Sequence, residues 1–298
     1  MKELLHKIQV GDIKSIARAI SLVENEVSEY ENILLHAQNQ NIPIIGITGP
    51  PGAGKSTLTD ALIKVWVAQE KKIAVLCIDP SSPFNKGAIL GDRVRMQQWY
   101  NHKNVFIRSL ASRGSLGGLN SKIIEITDII KNAPFDFIIV ETVGVGQSEI
   151  EIAGLADVTV VVLVPEAGDE IQTMKAGLME IADIFVVNKS DRPEAHLFVK
   201  NLKMMLAPVF TQSHKNIEII STIADKNEGV ERLAHAIEMV LKNENINTKK
   251  LDLLVDKAYQ LIQQKRMKDV HKSNLKHTLS NAIHASDFNL YRFIKQYD

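Results

Sequence analysis

The sequence predicts an α/β fold in which a doubly wound, mostly parallel sheet is flanked by helices. Short, nearly continuous runs of valine and isoleucine recur along the chain, and such runs are typical of parallel strands buried on both faces. Segments with helical periodicity lie between these runs, and this alternation favours right-handed βαβ crossovers. The chain of 298 residues is long enough for one such domain and a smaller appendage.

The individual elements follow from the apolar periodicity in chain order. Two short helices are expected within 1–41, and the first strand is expected to begin at Ile44. Further strands are expected at Ile73–Ile78, Val105–Leu110, Phe135–Glu141, Val158–Val164, Ile184–Asn188 and Glu218–Ile220. Further helices are expected at Leu58–Glu70, Asp92–Tyr100, Leu119–Asn132, Ile150–Leu155, Glu170–Ile181, Ala195–Leu206 and Gly229–Leu241.

Three segments are predicted from the change in composition along the chain. An N-terminal helical segment covers 1–42, the sheet domain covers 43–243, and a short helical extension covers 244–298. The polar stretch at 243–248 indicates a hinge before that extension, where leucines recur at helical spacing.

Composition excludes several classes of function. The formal net charge is zero, so no global charge favours binding to nucleic acid or to an anionic membrane. Cys77 is the only cysteine, which excludes an internal disulfide and a cysteine-cluster metal site. No apolar stretch reaches the roughly 20 residues that a bilayer-spanning helix needs. The first residues resemble neither a secretory signal nor a transit peptide, so a cytoplasmic location is expected.

The strongest motif follows the first strand and matches G-x-x-x-x-G-K-S/T, the phosphate-binding loop of P-loop NTPases. Glycines let successive backbone N–H groups point at a polyphosphate, and the following helix N-terminus favours negative charge. Lys55 is expected to contact the β- and γ-phosphates, and the Ser56 hydroxyl is an expected Mg²⁺ ligand. The predicted nucleotide-binding residues of this loop are Gly49, Pro50, Pro51, Gly52, Ala53, Gly54, Lys55, Ser56 and Thr57.

A second motif, N-K-x-D, ends the strand at Ile184–Asn188 and predicts guanine recognition. The Asp191 carboxylate can accept hydrogen bonds from both the ring N–H and the exocyclic amine of guanine, a pattern that adenine cannot offer. Asn188 and Lys189 are expected to brace the loop and the base. The following strand ends near Ser221, Thr222 and Ile223, whose backbone N–H groups are expected to contact the guanine carbonyl.

Acidic residues end two other predicted strands. Glu141 is followed by Gly144, which is similar to the D-x-x-G pattern that serves magnesium and the γ-phosphate, with Glu in place of Asp. A carboxylate at the end of an apolar strand is costly to bury alone, so a nearby cation is expected. Asp79 ends the second strand in the same way, and Asp92 is a candidate for contact with the metal or the attacking water. Lys55 and Asp92 are the predicted catalytic residues.

Taken together, these motifs resemble those of the MeaB/ArgK family, the methylmalonyl-CoA mutase-associated P-loop GTPases. The resemblance is dense over about residues 13–245. The stretches that carry it are 19–25, 46–57, 78–83, 87–96, 113–119, 140–149 and 156–191.

The resemblance implies a GTPase that binds GTP or GDP with Mg²⁺ and acts as a chaperone of a cobalamin-dependent acyl-CoA mutase, gating cofactor loading. It also implies a homodimer formed through the C-terminal extension, and a metal shell of Ser56, Asp79, Asp92 and Glu141. The stretch at 164–175 is similar to the family's extra switch loop. Because Gln147 is displaced from the position after Gly144, slow intrinsic hydrolysis that the partner accelerates is expected.

Two other functions remain open at this point. One is a protein kinase for components of amino-acid transport, because an older label attaches that activity to the family. The other is a nickel-insertion GTPase of the same superfamily, which would need Cys/His clusters that the sequence does not show near the loops.

Overall fold

The computed structural model describes residues 2–28, 30–37, 40–79, 96–112, 119–144, 148–167, 176–213, 217–242, 248–284 and 288–297. Cα packing divides the chain into two compact units, Met1–Lys250 and Leu251–Asp298. The three-segment division at 42 and 243 stays a prediction.

The first unit is built on a seven-stranded, all-parallel sheet with the strand order β3-β2-β4-β1-β5-β6-β7. Every residue of the first, second, fourth, fifth and sixth strands is buried, as expected for a sheet covered by helices on both faces. The predicted fold class is therefore confirmed. The strands are β1 Ile44–Thr48, β2 Ile73–Asp79, β3 Val105–Ala111, β4 Phe137–Glu141, β5 Val158–Leu163, β6 Ile184–Val187 and β7 Glu218–Ser221.

Within the described residues, nine helices lie in the first unit, where they precede or flank the strands. They are α1 Lys2–Gln9, α2 Ile13–Glu24, α3 Tyr30–Leu35, α4 Lys55–Ala68, α5 Ile123–Ile130, α6 Ser148–Leu155, α7 Ala176–Ile181, α8 Ala195–Ser213 and α9 Val230–Lys242.

Helix boundaries differ from the sequence predictions in several places. In the described part of the segment before β1 there are three helices rather than two, and the additional one is the short helix α1. Helix α4 begins at Lys55 rather than Leu58, since the last glycine of the loop serves directly as its N-cap. Helix α5 is shorter than predicted at both ends. Only a short 3-10 turn, Gln97–Trp99, lies in the described part of the segment expected to be helical after Asp92.

The parallel register brings the ends of the central strands to one edge of the sheet. Glu141, the last residue of β4, pairs with Ile47 of β1 on one side and with Cys77 of β2 on the other. Asp79 ends β2 two residues further on. Cys77 is buried, as expected from its place in an apolar strand. The carboxyl edge of the sheet therefore collects the polar residues on which the sequence analysis depends.

Two buried or half-buried cations attach the N-terminal helices to the sheet domain. Arg108 of β3 donates hydrogen bonds at 3.1 Å to the Glu24 carboxylate and to the Ser21 hydroxyl. Lys122, just before α5, lies 2.7 Å from a Glu26 oxygen and also donates to the Tyr30 hydroxyl at 3.2 Å. Burial lowers the pKa of Lys122, but its acidic and phenolic partners outweigh burial and raise it overall.

The second unit is helical. It contains α10 Thr248–Arg266, most of which lies in this unit, α11 Lys272–Ala282 and α12 Leu290–Ile294. Several large apolar side chains of this unit are exposed, including Leu251, Val255, Tyr259 and Tyr291. Among the helices of the described residues, none combines the length and apolar character that a bilayer-spanning segment requires.

We predict that Lys122→Ala lowers the free energy of unfolding by about 2 kcal/mol, because the variant loses the ion pair with Glu26 and the hydrogen bond to Tyr30, and removes a cation that faces the buried Glu125. Urea denaturation measures the change. Lys71→Ala is the matched control, because Lys71 forms an exposed ion pair with Asp136 and its loss is expected to cost under about 1 kcal/mol. Equal losses in the two variants would contradict the anchoring role of Lys122.

Candidate functional site

The phosphate-loop motif has the strand–loop–helix geometry expected from sequence. Strand β1 ends at Thr48, the loop follows, and α4 begins at Lys55. Gly49 has φ +138°, and a Cβ at this position would collide with the Val162 carbonyl oxygen of β5. Gly54 caps α4 in the left-handed region at φ +88°. Because side chains are excluded at these two positions, the loop backbone can curl closely against the sheet edge.

The Lys55 ammonium is buried and held at the mouth of this loop. It donates hydrogen bonds to the carbonyl oxygens of Gly49 at 2.8 Å and Pro50 at 3.1 Å. A longer contact of 3.4 Å reaches the Val143 carbonyl beyond β4. A buried ammonium needs acceptors, and phosphate oxygens brought to the loop would be stronger acceptors than neutral carbonyls.

The Glu141 carboxylate is buried against the first turns of α4. One oxygen accepts a hydrogen bond from the Ser56 hydroxyl at 2.5 Å, and the other accepts from the Thr59 hydroxyl at 3.0 Å. The sequence analysis named Ser56 and Glu141 as expected Mg²⁺ ligands but missed Thr59. Its position four residues after Lys55, on the same face of the helix, is the signal that could have found it.

Of the two predicted aspartates, Asp79 lies within the described residues. Asp79 is buried at the end of β2, and its carbonyl accepts a hydrogen bond from Ser112 N–H at 3.0 Å. Asp92 and the arginines near it lie outside the described residues, as does Gln147. In the described ranges there is no group of three His, Cys, Asp or Glu residues that could hold a metal ion by itself.

The donor set at the loop fits Mg²⁺ nonetheless. Mg²⁺ prefers oxygen ligands, keeps several waters, and is usually held by one or two carboxylates together with substrate phosphates. Ser56 and Glu141 present a hydroxyl and a carboxylate oxygen 2.5 Å apart, both lining the cavity in front of the loop. A hydroxyl and a carboxylate beside a phosphate-binding loop are therefore a suitable partial ligand set.

Asn188, directly after β6, joins two separate loops. Its side-chain amide donates to the Ala53 carbonyl of the phosphate loop at 3.0 Å. Its amide oxygen accepts from the Thr222 hydroxyl at 3.1 Å and from Ala224 N–H at 3.2 Å. The side chain is buried, so all of these bonds form away from competing water. Asn188 therefore links the phosphate loop to the turn after β7 through direct hydrogen bonds.

Lys189 and Asp191 lie beside the same loop. Lys189 donates to the Gly52 carbonyl at 2.7 Å and has a positive φ of 55°. Lys189 and Asp191 both line a cavity of about 390 Å³. Lys189 also lines a second cavity, of about 570 Å³, whose walls include Lys55, Ser56 and Glu141. The two cavities share Gly54, Thr57 and Lys189 in their walls.

Two backbone N–H groups in the segment after β7 have hydrogen-bond partners within the protein. Thr222 N–H donates to the Val187 carbonyl at 2.9 Å, and Ile223 N–H donates to the Glu228 carbonyl at 3.0 Å. These two N–H groups are therefore engaged within the protein. Ala224 and Asp225, rather than Ser221, Thr222 or Ile223, line the cavity that contains Asp191. The predicted contact of 221–223 with a guanine carbonyl stays a prediction.

Gly144 lies against the phosphate loop. It has φ +90°, and a Cβ here would collide with the Gly49 carbonyl oxygen and crowd the Lys55 ammonium at 2.5 Å. The chain that follows β4 therefore approaches the loop so closely that only glycine is accommodated.

Comparison with known proteins gives concordant matches. A sequence profile of the family described as methylmalonyl Co-A mutase-associated GTPase MeaB matches residues 16–278. A Pyrococcus horikoshii relative is 45% identical over 241 residues, covering 79% of this chain and 76% of the relative. The Escherichia coli GTPase ArgK is 30% identical over 302 residues, covering 98% of this chain and 88% of ArgK. A crystal structure of an LAO/AO transport system kinase has a TM-score of 0.66 at 23% identity, covering 99% of this chain and 95% of that one, which supports the fold.

We predict that Gly144→Ala weakens binding of a fluorescent GDP analogue by at least about tenfold, because the new methyl group must displace the Lys55 ammonium or the loop backbone. Fluorescence titration measures the affinity.

Gly11→Ala is the matched control for backbone strain. Gly11 also has a positive φ, +84°, but a Cβ there would meet only Pro134 side-chain atoms at 3.2 and 3.4 Å. Both variants are expected to lose about 1–3 kcal/mol of stability, and only Gly144→Ala is expected to lose affinity. A comparable loss of affinity in both variants would show that strain alone accounts for the effect.

Proposed function

The chain belongs to the methylmalonyl-CoA mutase-associated GTPase family, MeaB, and on that premise we propose that it hydrolyses GTP as a chaperone of a cobalamin-dependent acyl-CoA mutase. In this role GTP binding and hydrolysis gate cofactor loading and protection of the mutase. The family description links these GTPases to methylmalonyl-CoA mutase, and that link supports the choice of partner class.

One observation carries the nucleotide-binding part of the proposal. Asn188 connects the phosphate loop at Ala53 with the turn at Ala224, and the two cavities share the wall residues Gly54, Thr57 and Lys189. A nucleotide with its phosphates before Lys55 and its base beside Asp191 would lie along these cavities. Gly49, Pro50, Pro51, Gly52, Ala53, Gly54, Lys55, Ser56 and Thr57 would bind the phosphates, and Asn188, Lys189 and Asp191 would serve the base.

Mg²⁺ would be held by Ser56 and Glu141, with Asp79 and Asp92 as the further acidic members of its shell. When bound, the ion supplies positive charge that neutralises the phosphate oxygens. The Glu141 carboxylate is already oriented toward Ser56 by the Thr59 hydroxyl, which supports this assignment.

In the proposed reaction, water attacks the γ-phosphorus of GTP, and the bond to the bridging oxygen of the β-phosphate breaks. The protein contributes positioning and charge stabilisation rather than covalent chemistry. Lys55 would exchange the carbonyl oxygens of Gly49 and Pro50 for phosphate oxygens. The N–H of Gly144 would meet the γ-phosphate, and Asp92 would orient water or metal.

The output of the cycle would be conformational. The segments at 79–92, 141–149 and 164–175 would respond to the γ-phosphate and bias the bound mutase. Arg192, the residue after Asp191, forms an ion pair with Glu166 in the described start of the third segment. This contact supports a link between the base-binding loop and 164–175. A homodimer through the C-terminal helices, which expose apolar side chains, is part of the same proposal.

We predict that a purified cobalamin-dependent mutase accelerates GTP turnover by this chain, whereas ATP is turned over poorly with or without it. Phosphate release measures both rates. Lys55→Ala is expected to lower turnover at least about a hundredfold, because its charge acts where negative charge develops. Equal turnover of ATP and GTP would refute the base assignment, and an unchanged GTP rate with every mutase tested would refute the chaperone role.

We predict that Asp191→Asn shifts base preference from guanine toward xanthine, because an amide can donate to the xanthine carbonyl that replaces the guanine amine. Affinities for GDP and xanthosine diphosphate, measured by competition with one fluorescent nucleotide, give the ratio. Asp183→Asn is a control for the loss of a carboxylate away from the cavities. An unchanged ratio in Asp191→Asn would mean that Asp191 does not contact the base.

A further inference from the structure

Asp191, the carboxylate proposed to bind guanine, already has a cationic partner. The Lys226 ammonium donates a hydrogen bond to its Oδ2 atom at 3.1 Å. Neither the phosphate-loop motif nor the N-K-x-D motif includes Lys226. The residue lies 35 positions away in sequence, in the short 3-10 turn Ala224–Lys226.

Hydrogen bonds hold the backbone of this turn in place, so Lys226 begins from a fixed position near the loop that carries Asp191. Ala224 N–H donates to the Asn188 amide oxygen, and Lys226 N–H donates to the Ile223 carbonyl at 3.0 Å. Asn227 then adopts a left-handed conformation with φ +59°, and Glu228 returns to pair with Ile223. The same Asn188 that positions the base-binding loop therefore also positions the start of the turn that carries Lys226.

The ion pair and guanine need the same acceptor. Guanine presents two neutral N–H donors to a carboxylate, one to each oxygen, whereas Lys226 already donates to one of these oxygens with a full charge. A charge-assisted hydrogen bond is stronger than a neutral one, so an oxygen that is engaged by an ammonium is a poorer acceptor for the base. The pair is exposed on both sides, with 54% of the Lys226 and 41% of the Asp191 side-chain surface accessible, so its strength is modest.

We propose that Lys226 is a specificity-determining residue that competes with guanine for the Asp191 carboxylate and so limits the affinity of this site for guanine nucleotides. This inference rests on the proposed function, in which Asp191 binds the base. Competition of this kind weakens GDP and GTP alike, because both carry the same base, and it leaves the phosphate contacts at Lys55 untouched.

The surroundings of Lys226 allow it to leave Asp191 without losing all favourable charge interactions. The pKa of Lys226 is raised chiefly by its hydrogen bond and charge interaction with Asp191, and further by the carboxylates of Glu228 and Asp225. The latter two remain beside the ammonium when the base takes Asp191. When guanine displaces the Lys226 ammonium from Asp191, the ammonium can therefore still interact with the carboxylates of Glu228 and Asp225.

The test compares GDP affinity of the full-length chain with Lys226 intact, replaced by Gln, or replaced by Arg. Lys226→Gln removes the charge at similar length and is expected to tighten GDP binding about two- to fivefold, the range for an exposed ion pair. Lys226→Arg keeps the charge and is expected to bind GDP as the unaltered chain does. ADP and inorganic pyrophosphate, which lack the guanine donors, are expected to show no change with either variant.

Lys71→Gln is the matched control, since Lys71 forms an exposed ion pair with Asp136 and lines neither nucleotide cavity. It is expected to leave GDP affinity unchanged. In an Asp191→Asn background, Lys226→Gln is expected to have no further effect on the affinity for xanthosine diphosphate, because the competing charge pair no longer exists.

The outcomes separate this inference from the proposed function. If Asp191→Asn shifts base preference but Lys226→Gln leaves GDP affinity unchanged or weakens it, Asp191 binds the base and the competition is refuted. A weakened affinity would show that Lys226 supports Asp191. If Lys226→Gln and Lys226→Arg tighten binding equally, the charge is not the cause, and the proposal also fails. If Asp191→Asn leaves base preference unchanged, the base assignment itself fails.

Discussion

The buried Glu141 carboxylate is the constraint from which the rest of the site follows. Burial of an ionised carboxylate is unfavourable unless hydrogen bonds or a cation compensate for the loss of water. Hydroxyl groups of Ser56 and Thr59 on α4 supply two such bonds, so the end of β4 and the start of α4 are held together. This places the chain after β4 against the phosphate loop, where Gly144 and the Val143 carbonyl meet Lys55.

Asn188 performs the corresponding task at the other end of the site. Its buried amide forms hydrogen bonds with three groups from two segments, so the phosphate loop and the turn after β7 are held together. Lys189 adds a contact to Gly52 from the same strand end. The phosphate loop and the N-K-x-D loop therefore share one brace. The ion pair of Arg192 with Glu166 extends these contacts toward the segment at 164–175.

Sequence patterns predicted the sheet and the motif positions well, because each depends on residues close together in the chain. All seven strands were expected, and their Val/Ile runs arise from burial on both faces. Helix starts were less accurate: the apolar periodicity of α4 begins at Leu58, yet the helix begins at Lys55, where a glycine cap and not periodicity sets the boundary. The hydrogen bond from Thr222 N–H to the Val187 carbonyl joins residues 35 positions apart, so no local pattern predicts it.

By itself, the sequence determined the fold class, the phosphate loop and the N-K-x-D loop, because a curled backbone, a helix start and a strand end each require particular residue types within a few positions. Only the tertiary structure decided which polar groups face one another. Thr59 reaches Glu141 across 82 residues and Lys226 reaches Asp191 across 35, and these pairings arise from strand order and parallel register. Hydrogen bonds between such distant residues depend on the packed arrangement of whole elements, which local propensity does not encode.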